Sequence, residues 1–129
     1  MKNPSTPLLA PQAARDFGRV LRFLRTSRER TLRDLSRPGL GTAYLEAIEH
    51  GRKINLTPTT FAMLAQTYQA PPDLIANEWF KARVMSALEE RGLEPEQRAT
   101  IWRAIESRMD EMGYHMRDEV ARYVQEILA

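Results

Sequence analysis

The chain has 129 residues, 28% of them charged, a formal net charge of +2 and no cysteine. This length is enough for one domain, or for a small domain with an extension, and the absence of cysteine excludes disulfide bonds and thiolate metal sites. Because no apolar run approaches the roughly 18 residues of a membrane span, and the first twelve residues lack the apolar centre of a secretory signal, we expect a cytoplasmic protein with no membrane partner.

The chain is expected to begin with an arm and a helix. Residues 1–12 contain three prolines and no helical pattern, which predicts a flexible N-terminal arm. From about Ala13 a first helix is predicted, because apolar residues recur at i, i+3, i+4 and i+7 between Phe17 and Leu24. Several arginines occupy the other faces of this helix.

Two short helices are predicted on either side of a tight turn. Thr31 can cap a helix that runs through Leu35, and the Pro38–Gly39 pair ends it. The next helix covers about Thr42–His50, and Gly51 can take the left-handed conformation that often follows the end of a helix.

The rest of the chain also has helical periodicity. Further helices are predicted from Pro58 to about Tyr68, from Pro72 to about Gly92, from Pro95 to about Gly113, and from about Met116 to Leu128. Since no useful stretch alternates with period two, the predicted fold class is all-α.

Charge is distributed unevenly between the two halves. Residues 1–70 carry 11 Lys and Arg against 5 Asp and Glu, whereas residues 71–129 carry 8 against 12. A basic half can attract phosphates, and an acidic half is better suited to contacts with itself or with protein. Ordinary solvated helix faces are the alternative explanation of the same asymmetry.

Four segments share their order and spacing with a known family. They are LRFLR at 21–25, TLRDLS at 31–36, YLEAIEHGRK at 44–53 and FAMLAQTY at 61–68. Together they resemble the Xre or phage-repressor type of helix-turn-helix regulator over about residues 15–76, most specifically in the I-E-x-G-[RK] junction at 48–52. The resemblance implies a five-helix, lambda-repressor-like helix-turn-helix domain over residues 13–76, followed by about three C-terminal helices. Residues 77–129 then form a dimerisation or interaction region.

The same resemblance implies roles for individual residues. It places a recognition helix at about Thr42–His50, in the major groove of double-stranded DNA, and an ion pair between Arg25 and Glu49. The candidates for reading base edges are Thr42, Ala43, Glu46 and Ala47. The candidates for binding backbone phosphates are Arg28, Arg30, Arg33, Tyr44, Arg52 and Lys53.

The chain departs from the family pattern where specificity is concerned. Alanine at positions 43 and 47 can meet a thymine methyl group but cannot form a hydrogen bond to a base edge. No Arg, Asn or Gln occupies the reading positions, and Leu32 stands where the family favours a phosphate-binding glutamine. We therefore expect weak direct readout of DNA sequence.

The C-terminal helices carry apolar stripes that suggest self-association. The dimerisation candidates are Trp102, Ile105, Met109, Val120, Tyr123, Val124 and Ile127. A two-fold dimer would present two recognition helices one DNA turn, about 34 to 36 Å, apart. The alternatives are that these helices extend the core of the first domain, or that they contact another protein.

The favoured function is a homodimeric, sequence-specific DNA-binding regulator, expected to repress transcription. The alternative is a helix-turn-helix scaffold that acts mainly through protein binding, as an antitoxin or a regulator's partner does. The two histidines have no ligand-spaced neighbours, and the glycines are scattered at turns. No metal, cofactor or enzymatic activity is therefore expected.

Overall fold

The structure is a computed structural model that describes residues 9–52, 56 and 58–127. Within these ranges the regular structure is helical, apart from an isolated antiparallel bridge between Arg37 and Leu40. The helices are α1 (Pro11–Ser27), α2 (Leu32–Leu35), α3 (Thr42–Glu49), α4 (Pro58–Thr67), α5 (Pro72–Glu90), α6 (Pro95–Glu106) and α7 (Tyr114–Ile127). The all-α prediction is confirmed for these residues, and none of their helices is long and apolar enough to cross a membrane.

The predicted caps around α2 are present. The Thr31 hydroxyl accepts the N–H of Asp34 at 3.1 Å, and the Asp34 carboxylate accepts the N–H of Thr31 at 2.8 Å, which completes a capping box. Two backbone hydrogen bonds between Arg37 and Leu40 close the turn that follows, and Gly39 adopts a φ of +88° there. As a result α2 has only four residues.

Helix α1 begins at Pro11, two residues earlier than predicted. Its N-terminal N–H groups have no local side-chain cap, and α5 supplies the acceptors instead. The N–H groups of Gln12 and Ala13 each donate to the Glu89 carboxylate at 3.0 Å, and the N–H of Ala10 donates to the Ser86 hydroxyl at 2.7 Å. Residues 9–12 of the predicted arm therefore belong to the folded part, while residues 1–8 lie outside the described ranges.

Helix α5 runs through the predicted boundary after residue 76. It has 19 residues and contains no glycine, and no proline follows Pro72, so nothing in its interior interrupts the helix. The fifth helix of the first predicted domain and the first helix of the C-terminal region are thus one element. α5 packs against α1, α4, α6 and α7.

The sixth helix is shorter than predicted. It ends at Glu106, and a short 3₁₀ turn at Met109–Glu111 precedes α7. The Ser107 hydroxyl donates to the Ala104 carbonyl at 2.8 Å, and the N–H of Arg108 bonds three residues back, which tightens the last turn.

Two apolar clusters share α5 as a common wall. The first is built from α1 to α5, and its buried residues include Phe17, Leu21, Leu35, Leu40, Leu45, Ile48, Leu64, Tyr68 and Ile75. The second is built from α5, α6 and α7, and its buried residues are Phe80, Val84, Leu88, Trp102 and Ala121. Trp79 packs edge-on against Phe17 in the first cluster, and its neighbour Phe80 packs edge-on against Trp102 in the second.

Candidate nucleic-acid interface

The predicted recognition helix is α3, which ends one residue before the predicted limit. Its inner side is buried through Leu45, Ile48 and Glu49. The four base-reading candidates are spaced i, i+1, i+4 and i+5, so they share the opposite side of the helix. Thr42 and Ala43 are exposed, whereas Glu46 and Ala47 are half-buried.

Two glycines allow α3 to lie directly on α1. A Cβ atom on Gly18 of α1 would lie 2.3 Å from the Ile48 carbonyl oxygen, and one on Gly51 would lie 2.7 Å from the Arg15 nitrogen. Gly51 also has a φ of +70°, and the N–H of Arg52 donates to the Ala47 carbonyl, as expected for the predicted left-handed cap. Close backbone contact therefore sets the distance between the two helices.

The predicted ion pair between Arg25 and Glu49 is present. The Nε and Nη2 atoms of Arg25 donate to the two carboxylate oxygens of Glu49, each at 2.9 Å. The Glu49 side chain is 1% exposed and that of Arg25 is 15% exposed. The hydrogen bond to Glu49 raises the pKa of the Arg25 guanidinium, so the pair holds α1 to the end of α3 in its charged form.

Tyr68 adds a third group to the Arg25–Glu49 ion pair. The sequence analysis did not predict this contact. Its hydroxyl donates to a Glu49 carboxylate oxygen at 2.7 Å, and this contact ties α3 to the end of α4. Burial, followed by the bond to Glu49, raises the pKa of the Tyr68 phenol well above its ordinary value. The sequence marks Tyr68 only as the end of a predicted helix, and its spacing carries no signal for the role of the hydroxyl.

The raised pKa of Tyr68 predicts alkaline destabilisation. Since the unfolded phenol ionises near pH 10 and the folded one does not, stability is fully present below about pH 10 and is lost as the pH rises, by up to about 1.4 kcal/mol per pH unit. Tyr68→Phe removes this dependence but loses about 1.5 to 3 kcal/mol near neutral pH, the range for a hydrogen bond to a charged group. The difference in unfolding free energy between the two proteins should narrow above about pH 10.

Urea unfolding followed by circular dichroism at neutral and alkaline pH measures this difference. Tyr123→Phe is the matched control, because Tyr123 is 64% exposed. A gap between wild type and Tyr68→Phe that stays constant across the alkaline range would contradict the assignment.

Arg52, predicted to bind phosphate, lies beside the reading face. Its guanidinium donates to the Glu46 carboxylate at 2.8 Å, and the side chains are 60% and 47% exposed, respectively. An exposed pair of this kind is worth at most about 1 kcal/mol, so either partner can exchange it for another contact. Lys53, predicted to act beside Arg52, lies outside the described residues.

The remaining phosphate candidates differ in their exposure and in the hydrogen bonds that already hold them. Arg30 and Arg33 are exposed. Tyr44 is half-buried and hydrogen-bonded to Thr60, and burial raises the pKa of its phenol. Arg28 is held by the end of α4, where its guanidinium donates to the carbonyls of Tyr68 and Gln69, each at 3.2 Å. Arg28 therefore has a structural role in the free protein.

The dimerisation candidates divide into buried and exposed members. Trp102 is buried in the second cluster of its own chain, and Ile105, Met109, Val120 and Val124 are partly buried side chains that pack against this cluster. Tyr123 is exposed, and the side chain of Ile127 lies outside the described part. Trp102 thus extends the core, the alternative stated for these helices, and among the described side chains of α6 and α7 the exposed large apolar ones are Ile101, Met116 and Tyr123.

Polar contacts hold α7 on α5. Arg83 and Asp118 form an ion pair at 2.7 Å, and Arg117 donates both to Asn77 and, at 3.2 Å, to the Met109 carbonyl. The position of α7 relative to the first cluster is therefore set through α5.

Comparison of the chain with protein-family models, with curated proteins and with solved structures found no match. Within the described ranges no three His, Cys, Asp or Glu side chains are grouped so that they could hold a metal ion.

Proposed function

We propose that the chain is a DNA-binding transcriptional regulator whose α2, the turn over residues 36–41 and α3 act as a lambda-repressor-like helix-turn-helix. The observation that carries this proposal is the way in which α3 is packed and held. One side of α3 is buried against α1, its end is held by Arg25 and Tyr68 through Glu49, and the side with the reading candidates faces outward. A helix fixed in this way can enter a major groove as a rigid unit.

The chemistry of the outward side favours backbone binding over base reading. Thr42 is the one neutral hydrogen-bonding side chain among the four reading candidates. Arg30, Arg33 and Arg52 are exposed cations on or beside α2 and α3 and are suited to phosphates. We infer that affinity comes mainly from phosphate contacts and that specificity comes from a few base contacts and groove shape.

A two-fold dimer is part of the proposal. Met116 and Tyr123 are exposed on α7, and the half-buried Val120 lies between them at i+4 and i+7 spacing. A second copy that packs on this stripe would relate two α3 helices by a two-fold axis, as binding to a two-fold DNA site requires. Binding of such a dimer across a promoter represses transcription most simply by occlusion.

The second candidate is a scaffold that binds a protein through the same face. It is favoured by Ala43 and Ala47, which offer no hydrogen bond to a base edge, and by the acidic Glu46 between them. Phosphates repel a carboxylate, whereas a basic protein partner attracts it.

Fluorescence anisotropy with labelled DNA distinguishes the two candidates. One duplex is the DNA upstream of the gene that encodes the chain, and the other is an unrelated duplex of equal length. Each is titrated at several salt concentrations. If a dimer neutralises about eight phosphates, log affinity falls against log salt with a slope of about −7. The absence of salt-sensitive binding to either duplex would favour the protein-binding candidate.

Three variants assign roles within the interface. Arg52→Ala should weaken binding to both duplexes by a similar factor and reduce the salt slope by about one per protomer, because a phosphate contact carries no sequence information. Thr42→Ala should change the ratio between the duplexes. Arg103→Ala, on the exposed side of α6, removes the same charge and should leave both affinities nearly unchanged. Equal losses from Arg52→Ala and Arg103→Ala would show that only net charge matters.

A further inference from the structure

Glu46 is the one charged side chain among the four base-reading candidates of α3. The other three, Thr42, Ala43 and Ala47, are neutral, so this carboxylate sets the electrostatic character of the outward side. With 47% of its side chain exposed, it is accessible to a large partner. DNA phosphates repel a carboxylate, so Glu46 suits a groove only if its charge is offset and its oxygens find donors there.

Arg52 offsets the charge of Glu46. The left-handed Gly51 turns the chain after α3, and the N–H of Arg52 donates to the Ala47 carbonyl at 2.8 Å, so the backbone of Arg52 lies against the last turn of the helix. From there its Nη2 atom donates to Oε1 of Glu46 at 2.8 Å. A carboxylate and a guanidinium joined in this way have no net charge, so DNA phosphates do not repel the pair as a whole.

The pair keeps an acceptor and several donors for a ligand. Its bond uses Oε1 of Glu46 and Nη2 of Arg52. Within the described part of the chain, no hydrogen bond is made by Oε2 of Glu46 or by Nε and Nη1 of Arg52. Because the Arg52 side chain is 60% exposed, it can donate to a backbone phosphate while it still holds Glu46. Oε2 of Glu46 is then available to accept from a base edge.

A carboxylate distinguishes the four bases by their major-groove edges. Cytosine presents an amino donor and no acceptor, thymine presents an acceptor and a methyl group, and guanine presents two acceptors. Adenine presents a donor beside an acceptor, so it suits an amide better than a carboxylate. Of the four bases, cytosine therefore matches the acceptor of Glu46 best.

We propose that Glu46 is a specificity-determining residue that accepts the N4 amino group of cytosine, while Arg52 neutralises it and binds the adjacent phosphate. This inference rests on the proposed function, because it assigns a base to a side chain on the reading side of α3. The strongest preference belongs to one position in each half-site, since Ala43 and Ala47 offer no hydrogen bond to a base edge.

Selection from a pool of randomised duplexes by the full chain, followed by sequencing of the bound fraction, tests the assignment. The wild type should favour cytosine at one position of each half-site by about fivefold or more, as one base contact provides. Glu46→Gln should favour adenine at the same position, because glutamine pairs with both the donor and the acceptor of adenine. Glu46→Ala should show no preference for cytosine there.

Anisotropy with the unrelated duplex separates a reading role from a structural one. Removal of the carboxylate leaves Arg52 fully available for phosphate, so Glu46→Gln and Glu46→Ala should bind this duplex at least as tightly as the wild type. Glu111→Gln is the matched control, because Glu111 and Arg108 form an exposed ion pair of the same 2.8 Å length outside the interface. The control should change neither the selected sequence nor the affinity. Weaker binding by both Glu46 variants would show a structural role and overturn the assignment.

The selection also separates a failure of this assignment from a failure of the proposed function. If the wild type binds no duplex, the proposed function fails and the assignment to Glu46 fails with it. If the wild type binds DNA but enriches no base, DNA binding stands and the assignment alone is overturned. The same holds if both Glu46 variants keep the wild-type preference at every position.

Discussion

Replacing Gly18 with alanine should destabilise the fold by about 2 to 3 kcal/mol, although alanine is the better helix former by about 1 kcal/mol. The new Cβ would lie 2.3 Å from the carbonyl oxygen of Ile48 and 2.4 Å from that of Glu49. Both are backbone atoms, so no rotamer change can relieve the overlap. α1 and α3 must move apart, which opens the first cluster and displaces the proposed recognition helix.

Urea unfolding and DNA anisotropy together measure this effect. Gly113→Ala is the matched control, because a Cβ there meets no atom within 4 Å. Because Gly113 accepts the first intrahelical hydrogen bond of α7, where alanine is a poorer cap, the control should cost about 1 kcal/mol or less. In Gly18→Ala we expect a lower urea midpoint and, in the fraction that stays folded, weaker DNA binding. A variant as stable as the wild type would mean that the helices are less closely packed than the glycine contact indicates.

The features that could be predicted from the sequence are those that depend on neighbouring residues. Thr31 caps α2 because its partner Asp34 is three residues away, and Gly51 follows α3 because a left-handed residue is needed at that point. Apolar periodicity predicted the buried sides of α1 and α3 for the same reason. The pairing of Arg25 with Glu49 came instead from the family resemblance, since no local rule joins residues so far apart.

The features that could not be predicted depend on contacts between distant segments. Glu89 caps the start of α1 from more than 70 residues away, and with the bond from Ala10 to Ser86 this contact holds residues that a proline-rich sequence marks as an arm. Trp102 has the spacing of an interface residue, yet the fold turns it inward against Phe80. The Thr67 hydroxyl is buried with no hydrogen-bond partner among the described residues, a result of packing that no sequence pattern records.

Arg25→Ala should cost about 3 to 5 kcal/mol, the range for removing one partner of a buried ion pair. The Glu49 carboxylate, 1% exposed, would keep only the Tyr68 hydroxyl as a described partner. Because the penalty comes from an uncompensated charge, Arg25→Ala combined with Glu49→Gln should be more stable than Arg25→Ala alone by at least about 1 kcal/mol. Glutamine keeps an acceptor for Tyr68 while it removes the charge.

Arg25→Lys provides the conservative comparison. Lysine keeps the positive charge but lacks the planar fork that meets both oxygens of Glu49, so we expect a stability between those of the wild type and Arg25→Ala. Urea unfolding of the four proteins gives the order directly. A double variant no more stable than Arg25→Ala would mean that the arginine acts through packing and its bond to the Arg30 carbonyl. If the double variant is instead more stable than Arg25→Ala, the charges of Arg25 and Glu49 hold the end of α3. The direction of the proposed reading face depends on that contact.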